Sequence, residues 1–422
     1  MSANRRVPGR QIAPVTAYLI LMGGQALCFS LFFTVQLVYH VTFIGLSPLQ
    51  LMLIGTVLEV TCFVFETPTG IVADLYSRRR SVLIGISLIG CAYLLEGSVP
   101  AFWSAMAAQF FWGLGYTFTS GATEAWLVDE IGEEPAGSAF LRGRQASLIG
   151  AIAGTLLAVG LALVQIQIPM VTAGIVMLLL AVLLMRVMGE HHWQPAPPEE
   201  RSTFAHMRDQ ARDGWQLAMA RPVVRTVLLI SLIAGLAAEA FDRLSVAFVI
   251  DRFAFPSLFG RDEPIIWFGL NGLFAMLLGL AASELFRRRG AGVLRAGSPA
   301  TLLTLCATGQ VAALVAFALS GSLLMAFSIF WVRAIIDVVK EPVELAWLNR
   351  NLDPSSRATV ISMTGQANAV GQATGGPVYG WVGGSVSLRA ALLLSATVLA
   401  PTISLYNRLR TRNKPVLELQ NE

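Results

Sequence analysis

Charge is scarce in this chain. Only 13% of its 422 residues are Asp, Glu, Lys or Arg, against about 25% in a soluble domain. The mean hydropathy is +0.65, and 55% of the residues are hydrophobic. That composition excludes a conventional water-soluble fold and indicates a chain that crosses a bilayer many times. Cysteine is sparse as well. Cys28, Cys62, Cys91 and Cys306 all fall inside apolar runs, where they read as small core residues and provide no disulfide framework. Of the four histidines, three sit in one polar connector and His40 sits near an outer helix end, where it reads as interfacial. No metal-ligand cluster, nucleotide-binding glycine loop or nucleophile triad is visible, so no metal and no cofactor are expected. The formal net charge of +4 is scattered between apolar runs and gives no reason to expect nucleic acid. The N-terminus is Arg-rich, but the first apolar run is long enough to span a bilayer and lacks a convincing cleavage site.

What the chain does have is a series of apolar runs. Twelve are read, at 15–39, 48–73, 81–98, 101–128, 138–165, 167–188, 222–250, 264–285, 299–319, 322–348, 358–383 and 387–406. Each suffices for a hydrocarbon core of about 30 Å. Short Gly, Pro and Ser links make neighbouring helices antiparallel. Of the 30 Lys and Arg residues, Arg252, Arg261 and Arg389 fall in loops on one face, and Arg243, Arg333 and Lys340 fall inside spans. The rest lie on the other face, which is therefore read as cytoplasmic and as carrying both termini. The expectation is a multi-pass protein of the cell membrane, with an N-terminal bundle over 1–190, a cytoplasmic connector over 191–221 and a C-terminal bundle over 222–422. Within the connector, Phe204, Met207, Ala211 and Trp215 fit one side of an amphipathic surface helix over 203–220, or equally a solvated link.

The two bundles read as repeats. Ala125-Trp126-Leu127 recurs as Ala346-Trp347-Leu348, and Gln145 to Gly150 with Gly154 recurs as Gln366 to Gly371 with Gly375, at one shared offset. An echo of the Gly70–Arg80 stretch is present at Gly279, Glu284 and Arg287-Arg288-Arg289-Gly290.

Charges inside spans are costly unless paired or wet, so each is a candidate site residue. Arg333, Asp337, Lys340, Glu341 and Glu344 crowd the tenth span. The four-residue spacing allows Arg333 and Asp337 to pair and to line a central cavity, with Glu341 and Glu344 nearer the cytoplasm. A purely structural ion pair fits the same spacing. Glu239, Asp242 and Arg243 form a second group, with Glu239 and Arg243 four apart. Glu59 and Glu66 share a helix face, and Glu66 precedes Pro68, which removes a backbone hydrogen bond. Desolvated carboxylates at such places trade protons near neutral pH, which makes Glu66 a proton-site candidate; a gate residue is the alternative. Glu124 and Asp129 lie toward the cytoplasmic end of the fourth span. Gly150, Gly154, Gly371, Gly375 and Gly376, with Pro377, mark close helix crossings. Phe29, Phe32, Phe33, Tyr39, Trp112 and Tyr116 supply either a greasy cavity wall or packing and lipid contacts.

The stretch Glu66 to Arg80, Glu-Thr-Pro-Thr-Gly-Ile-Val-Ala-Asp-Leu-Tyr-Ser-Arg-Arg-Arg, resembles the loop between the second and third helices of the major facilitator superfamily. Gly70, Asp74, Arg78 and Arg79 match the pattern Gly-x-x-x-Asp-Arg-x-Gly-Arg-Arg, while Leu75 and Ser77 depart from it. The resemblance implies an all-α membrane protein of twelve transmembrane helices in two pseudo-symmetric six-helix bundles. It further implies a cytoplasmic gate at Gly70, Asp74, Arg78 and Arg79, with Asp74 facing the N-terminal end of the eleventh helix. The Glu-x-Pro-Thr-Gly-x-x-x-Asp and Ser-Gly-Ala-x-Glu-Ala-Trp stretches look like the multidrug and macrolide efflux branch. Gln109 stands where many relatives carry the Arg of Arg-x-x-x-Gly, and the Gly376-Pro377-x-x-Gly380 run, similar to an antiporter motif, sits in the eleventh span instead of the fifth. Implied is a secondary active transporter working by alternating access, most simply a proton-coupled exporter of lipophilic small molecules. Its partners are a small-molecule substrate, protons and the lipid bilayer, and a monomer is expected. Metabolite uptake or facilitated diffusion is the alternative, and a polytopic membrane enzyme a remote one.

Overall fold

The computed structural model describes residues 13–194, 212, 216, 221–258, 260–296, 299–351 and 354–412. The surface helix expected over 203–220 lies outside the described residues except for Arg212 and Gln216. The described chain is helical throughout: α1 (Pro14–Val38), α2 (Pro48–Leu75), α3 (Arg78–Ser98), α4 (Phe102–Thr119), α5 (Ala122–Ile131), α6 (Glu133–Ala162), α7 (Ile168–Val187), α8 (Pro222–Arg252), α9 (Pro264–Ala296), α10 (Pro299–Ala318), α11 (Leu323–Asn351), α12 (Pro354–Ser385), α13 (Leu388–Leu399) and α14 (Pro401–Arg412). Several of these open on Pro, whose fixed φ and missing N–H suit the first helical position. The Ser77 hydroxyl caps α3 by accepting from the Arg80 N–H at 3.0 Å.

Helices coincide with all twelve expected spans, and two spans are broken in the middle. The fourth divides into α4 and α5 at Gly121, where φ is +70°, a left-handed conformation that costs glycine nothing. The last divides at Pro401. Among the described residues, 9 helices are long and apolar enough to cross a membrane by length and composition alone. Helix α11 is not among them because of its five charged residues between Arg333 and Glu344, nor is α12, which is rich in Gly and polar side chains. Large apolar side chains face outward, as lipid requires: Leu141 is 71% exposed and Ile149 69%.

The chain forms two compact units. One comprises Met1–Leu46 and Val57–Thr203; the other comprises Ser47–Thr56, which opens α2, and Phe204–Glu422. In the first, α1 packs along α6 and α7, and α3 packs along α4 and α7. In the second, α8 packs along α12 and α13, and α11 packs along α9 and α10.

The tightest crossings occur where the sequence repeats. In the first unit, a Cβ at Gly150 would collide with the carbonyl oxygen of Gly23, and one at Gly154 with that of Leu27. In the second, Gly371 stands in the same relation to Leu232, and Gly375 to Leu236. A polar contact repeats as well: Ser147 Oγ donates to the Met22 carbonyl at 3.3 Å, and Asn368 Nδ2 donates to the Ser231 carbonyl at 3.3 Å. Each unit therefore holds its first and fifth span together with the same backbone-to-backbone contact.

Two sequence expectations change. After Val38 the helix continues as a π-turn, Tyr39–Ile44, which ends at Gly45 with φ +72°. The wider turn brings His40 into the interior, only 1% exposed, so it is not interfacial. Cys91 is exposed on the outside of α3, while Cys28 and Cys306 are buried core residues.

Gly150→Val is expected to lower the unfolding temperature in detergent by several degrees, because inserting methyl groups into a packed contact costs about 1–3 kcal/mol. Gly160→Val on the same helix serves as the control: no atom lies within 4 Å of its added Cβ. Equal shifts for the two variants, measured by thermal denaturation, would show that the crossing does not hold α1 to α6.

Candidate functional site

Three groups of polar residues are assembled within the units. The first lies where the α2–α3 turn meets α5 and the end of α7. Arg78 donates from Nη1 to Asp129 Oδ2 at 2.7 Å and to the Ala125 carbonyl at 2.9 Å. Asp74, the motif carboxylate, is 3.8 Å from Arg78 and more than half exposed, so Asp129 is the closer partner. Arg79 donates from Nη2 to the Met185 carbonyl at 2.6 Å. Glu190 accepts from the Ser77 hydroxyl at 2.6 Å and from the Arg79 backbone N–H at 2.9 Å. Glu130 accepts from the backbone N–H groups of His191 and His192, at 2.5 and 3.1 Å. Trp126 Nε1 donates to the Gly189 carbonyl at 2.8 Å. Glu130 and Glu190 carry no motif signal and were not found from the sequence. Their signal is only that each is an acid at or just beyond a helix end, Glu130 on α5 and Glu190 after α7. Gly70 has open space around the position a Cβ would take, so no described residue packs closely against it.

The second group is a cavity of about 300 Å³ in the first unit. It lies beside the break between α4 and α5 and is lined by Phe29, Gln25, Tyr116, Ser120, Gly121, Glu124 and Ser147 among others. Glu124 is the one carboxylate among the lining residues and is exposed to the cavity. The wall continues as an aromatic ladder. Tyr116 stacks on Trp112 with centroids 5.4 Å apart, and Trp112 meets Phe29 at 5.8 Å and Phe33 at 5.5 Å. Phe32 and Tyr39, by contrast, are buried core residues. Glu66 is exposed on α2 and does not line this cavity.

The third group is a cavity of about 260 Å³ in the second unit, lined by Asp242 from α8, Gln310 from α10, Arg333, Asp337 and Lys340 from α11, and Asn368 from α12. The expected Arg333–Asp337 pairing along α11 does not form. Arg333 lies 3.9 Å over the Phe241 ring, and Asp337 accepts from Gln310 Nε2 at 2.7 Å. Each takes a partner from a neighbouring helix instead, the Phe241 ring face on α8 and the Gln310 amide on α10. Lys340 Nζ donates to Gln310 Oε1 at 3.4 Å. Glu344 accepts from Tyr406 OH at 3.1 Å, and Glu341 is exposed.

Beside this cavity, the Glu239–Arg243 spacing does produce a pair, at 3.5 Å, with Glu239 only 2% exposed. A Cβ at Gly55 would strike both side chains, so the start of α2 fits against them only as glycine. Pro377 has no N–H to offer the Ala373 carbonyl one turn earlier. That carbonyl accepts instead from Thr56 Oγ1 at 3.5 Å, and Gly376 leaves room for the same Thr56.

The profile of the family described as Major Facilitator Superfamily matches residues 16–339. A relative in Bacillus subtilis (strain 168), named an uncharacterized MFS-type transporter YxaM, is 22% identical over 368 residues, which is 85% of this chain and 86% of that protein. The crystal structure of the nucleoside transporter NupG superposes with a TM-score of 0.74 at 12% identity, covering 94% of this chain and 99% of that one. That of a POT family transporter in complex with 5-aminolevulinic acid superposes with a TM-score of 0.71 at 14% identity, covering 94% and 95%.

A double-mutant cycle is expected to give Arg78 and Asp129 a coupling of about 1 kcal/mol, the upper range for a partly exposed pair. Arg78 and Asp74 should couple by no more than a few tenths. The measurement is thermal stability of Arg78→Ala, Asp129→Ala, Asp74→Ala and the double variants in one detergent. A larger coupling for Asp74 would reverse the ranking.

Proposed function

The chain belongs to the Major Facilitator Superfamily, and we propose that it is a proton-coupled exporter of lipophilic small molecules that works by alternating access. It is a multi-pass membrane transporter, not an enzyme, and the family binds small-molecule substrates within the membrane. The observation that carries the export reading is the cavity of the first unit, where one carboxylate, Glu124, stands among Phe29, Tyr116 and the stacked Trp112. Aromatic faces attract cations, and a carboxylate in an apolar setting does so strongly. An apolar ring system carrying a positive charge suits both. Its export against a gradient requires an energy source; a proton gradient is one, and carboxyl groups able to take up protons are what can couple to it. The Arg-rich face, with the Arg78–Asp129 ion pair at its centre, is assigned to the cytoplasm together with both termini. In that reading Gly70, Asp74, Arg78 and Arg79 belong to the cytoplasmic gate, with Asp129 as the acid that fastens it.

A second reading has its own support. The cavity of the second unit holds two cations and two carboxylates, Arg333, Lys340, Asp242 and Asp337, which suits a polar, zwitterionic metabolite. On that reading flux is inward or downhill.

Flux direction and charge preference separate the two. Inverted membrane vesicles with an acidic lumen are expected to accumulate ethidium, and an uncoupler should abolish the accumulation. Glu124→Gln should lower ethidium accumulation about tenfold while sparing neutral lipophilic compounds. Accumulation indifferent to the uncoupler removes the coupling. Inward transport of a zwitterionic amino acid by whole cells, lost in Asp337→Asn, would favour the second reading.

A further inference from the structure

Outside both cavities, one buried cluster of ionisable and amide side chains takes no part in the site described so far. It lies at the far end of α3 from the arginine loop. Eighteen residues of helix separate Arg78 from Glu96, roughly 27 Å at 1.5 Å per residue. Glu96 is 0% exposed. Its Oε1 is 2.7 Å from His40 Nε2 and accepts from Gln36 Nε2 at 3.0 Å. Its Oε2 accepts from Gln109 Nε2 at 3.1 Å, and its backbone carbonyl accepts from Tyr39 OH at 3.0 Å. His40, Gln36 and Gln109 are each no more than 2% exposed. Gln167, which opens α7, donates to the neighbouring Gly97 carbonyl at 3.1 Å.

We propose that the His40–Glu96 pair is a proton-binding site, and that its proton is the one coupled to transport; the second half of this rests on the proton-coupled reading above.

Three observations carry the proposal. First, the pair has no fixed countercharge. Among the described residues, no Arg or Lys forms an ion pair with Glu96, and the ionisable groups facing it from the packed elements are His40 and Tyr39 from the π-turn and Tyr93 from α3 itself. Glu239, another carboxyl-bearing residue buried to a similar depth, has Arg243 at 3.5 Å. A carboxylate beside a permanent cation has no need of a proton; one beside an imidazole and two amides does. Second, the flanking groups suit either charge state. An amide offers both N–H and C=O, so it can donate to a carboxylate or accept from a carboxyl O–H. Gln109 Oε1 is buried with no partner in the arrangement observed. Rotation of that amide would turn this acceptor toward a protonated Glu96. Third, His40 is placed by a π-turn, an element that inserts one extra residue into a helix at an energetic cost and that recurs at functional sites.

The charge balance is simple. With neutral His40 donating from Nε2, the pair carries −1. Uptake of one proton, on either partner, makes it neutral. A neutral pair is compatible with burial at 0–1% exposure, whereas a bare negative charge so placed requires water or a cation. Protonation therefore favours the closed outer ends of α1, α3 and α4, and deprotonation favours a hydrated, opened arrangement. That is the differential affinity a coupling ion must have.

The site can be tested without knowing the substrate. The chain has four histidines, so ¹⁵N-histidine labelling of the purified full-length protein gives few signals, and His40→Gln assigns that of His40. Between pH 5 and pH 9 the His40 signal is expected to change with pH. Glu96→Gln should alter that response, since the anionic partner is gone, and Gln109→Leu should alter it too, since one donor to the carboxylate is lost. A His40 signal that does not change over this range, or that is unmoved by both variants, overturns the proton site. In proteoliposomes, ethidium accumulation driven by a pH gradient should fall at least tenfold in Glu96→Gln. Full accumulation by that variant overturns the coupling role. Wild-type transport that ignores the gradient while His40 still titrates removes the coupling and the reading it rests on, and leaves the proton site standing.

Discussion

Lipid tails are as apolar as leucine, so the hydrophobic effect does little to press one membrane helix against another. Helices must instead be held by dispersion at close range and by polar contacts between backbones. In this chain that constraint is met at two equivalent places. Gly150 and Gly154 bring α6 onto the carbonyls of Gly23 and Leu27, and Gly371 and Gly375 bring α12 onto those of Leu232 and Leu236. A Ser or Asn hydrogen bond stands one turn away in each case. The α1–α6 and α8–α12 pairs are the most extensively packed of their respective units. The outer surface is then free to be as apolar as the bilayer asks, and Leu141 and Ile149 on α6 show the result.

This is also why the architecture was so readable. Run lengths locate the spans, and the small residues that must repeat for the crossings repeat in the sequence at one offset. Polar partners were much less readable. An i,i+4 spacing placed Glu239 against Arg243 correctly, at 3.5 Å. The same spacing misled for Arg333 and Asp337, because Phe241 and Gln310 on other helices were nearer and better placed. Spacing reports only what one helix offers; the tertiary neighbour decides. The break at Gly121 was hidden inside a continuous apolar run, since no proline marks it. Glu96 was hidden for a different reason. It is a lone acid at the end of the third span, and its partners come from three separate segments. One of them, His40, reaches the interior only because the helix widens into a π-turn.

The charged residues then fall into classes by the kind of partner they have. Arg78–Asp129 and the contacts of Glu190 lie at helix ends, partly exposed, where ion pairs are weak and reversible. Such contacts can form and break as a carrier changes state, without a large barrier. Glu239–Arg243 is buried and fixed, with Gly55 shaped to admit it, and is suited to holding helices in place. Asp242, Arg333, Asp337 and Lys340 face an open cavity, where a solute can compete for them.

His40–Glu96 belongs to none of these classes. It is as buried as Glu239 but lacks a permanent cation, and as polar as the second cavity but closed to solutes. A carrier that spends a proton gradient needs one group whose charge changes while all others keep theirs. A permanent ion pair cannot serve, because its charges cancel at every pH the cell offers. A carboxylate open to water cannot serve well either, because hydration makes both of its charge states comparable in cost. What serves is a carboxyl group whose ionisation is expensive in one conformation and cheap in another. Burial at 0% exposure, with two reversible amides and an imidazole as the only close side-chain partners among the described residues, meets that requirement. The cluster stands at the end of α3 remote from the arginine loop. On the proposed reading, the group that takes up the proton and the Arg78–Asp129 pair therefore occupy opposite ends of one helix.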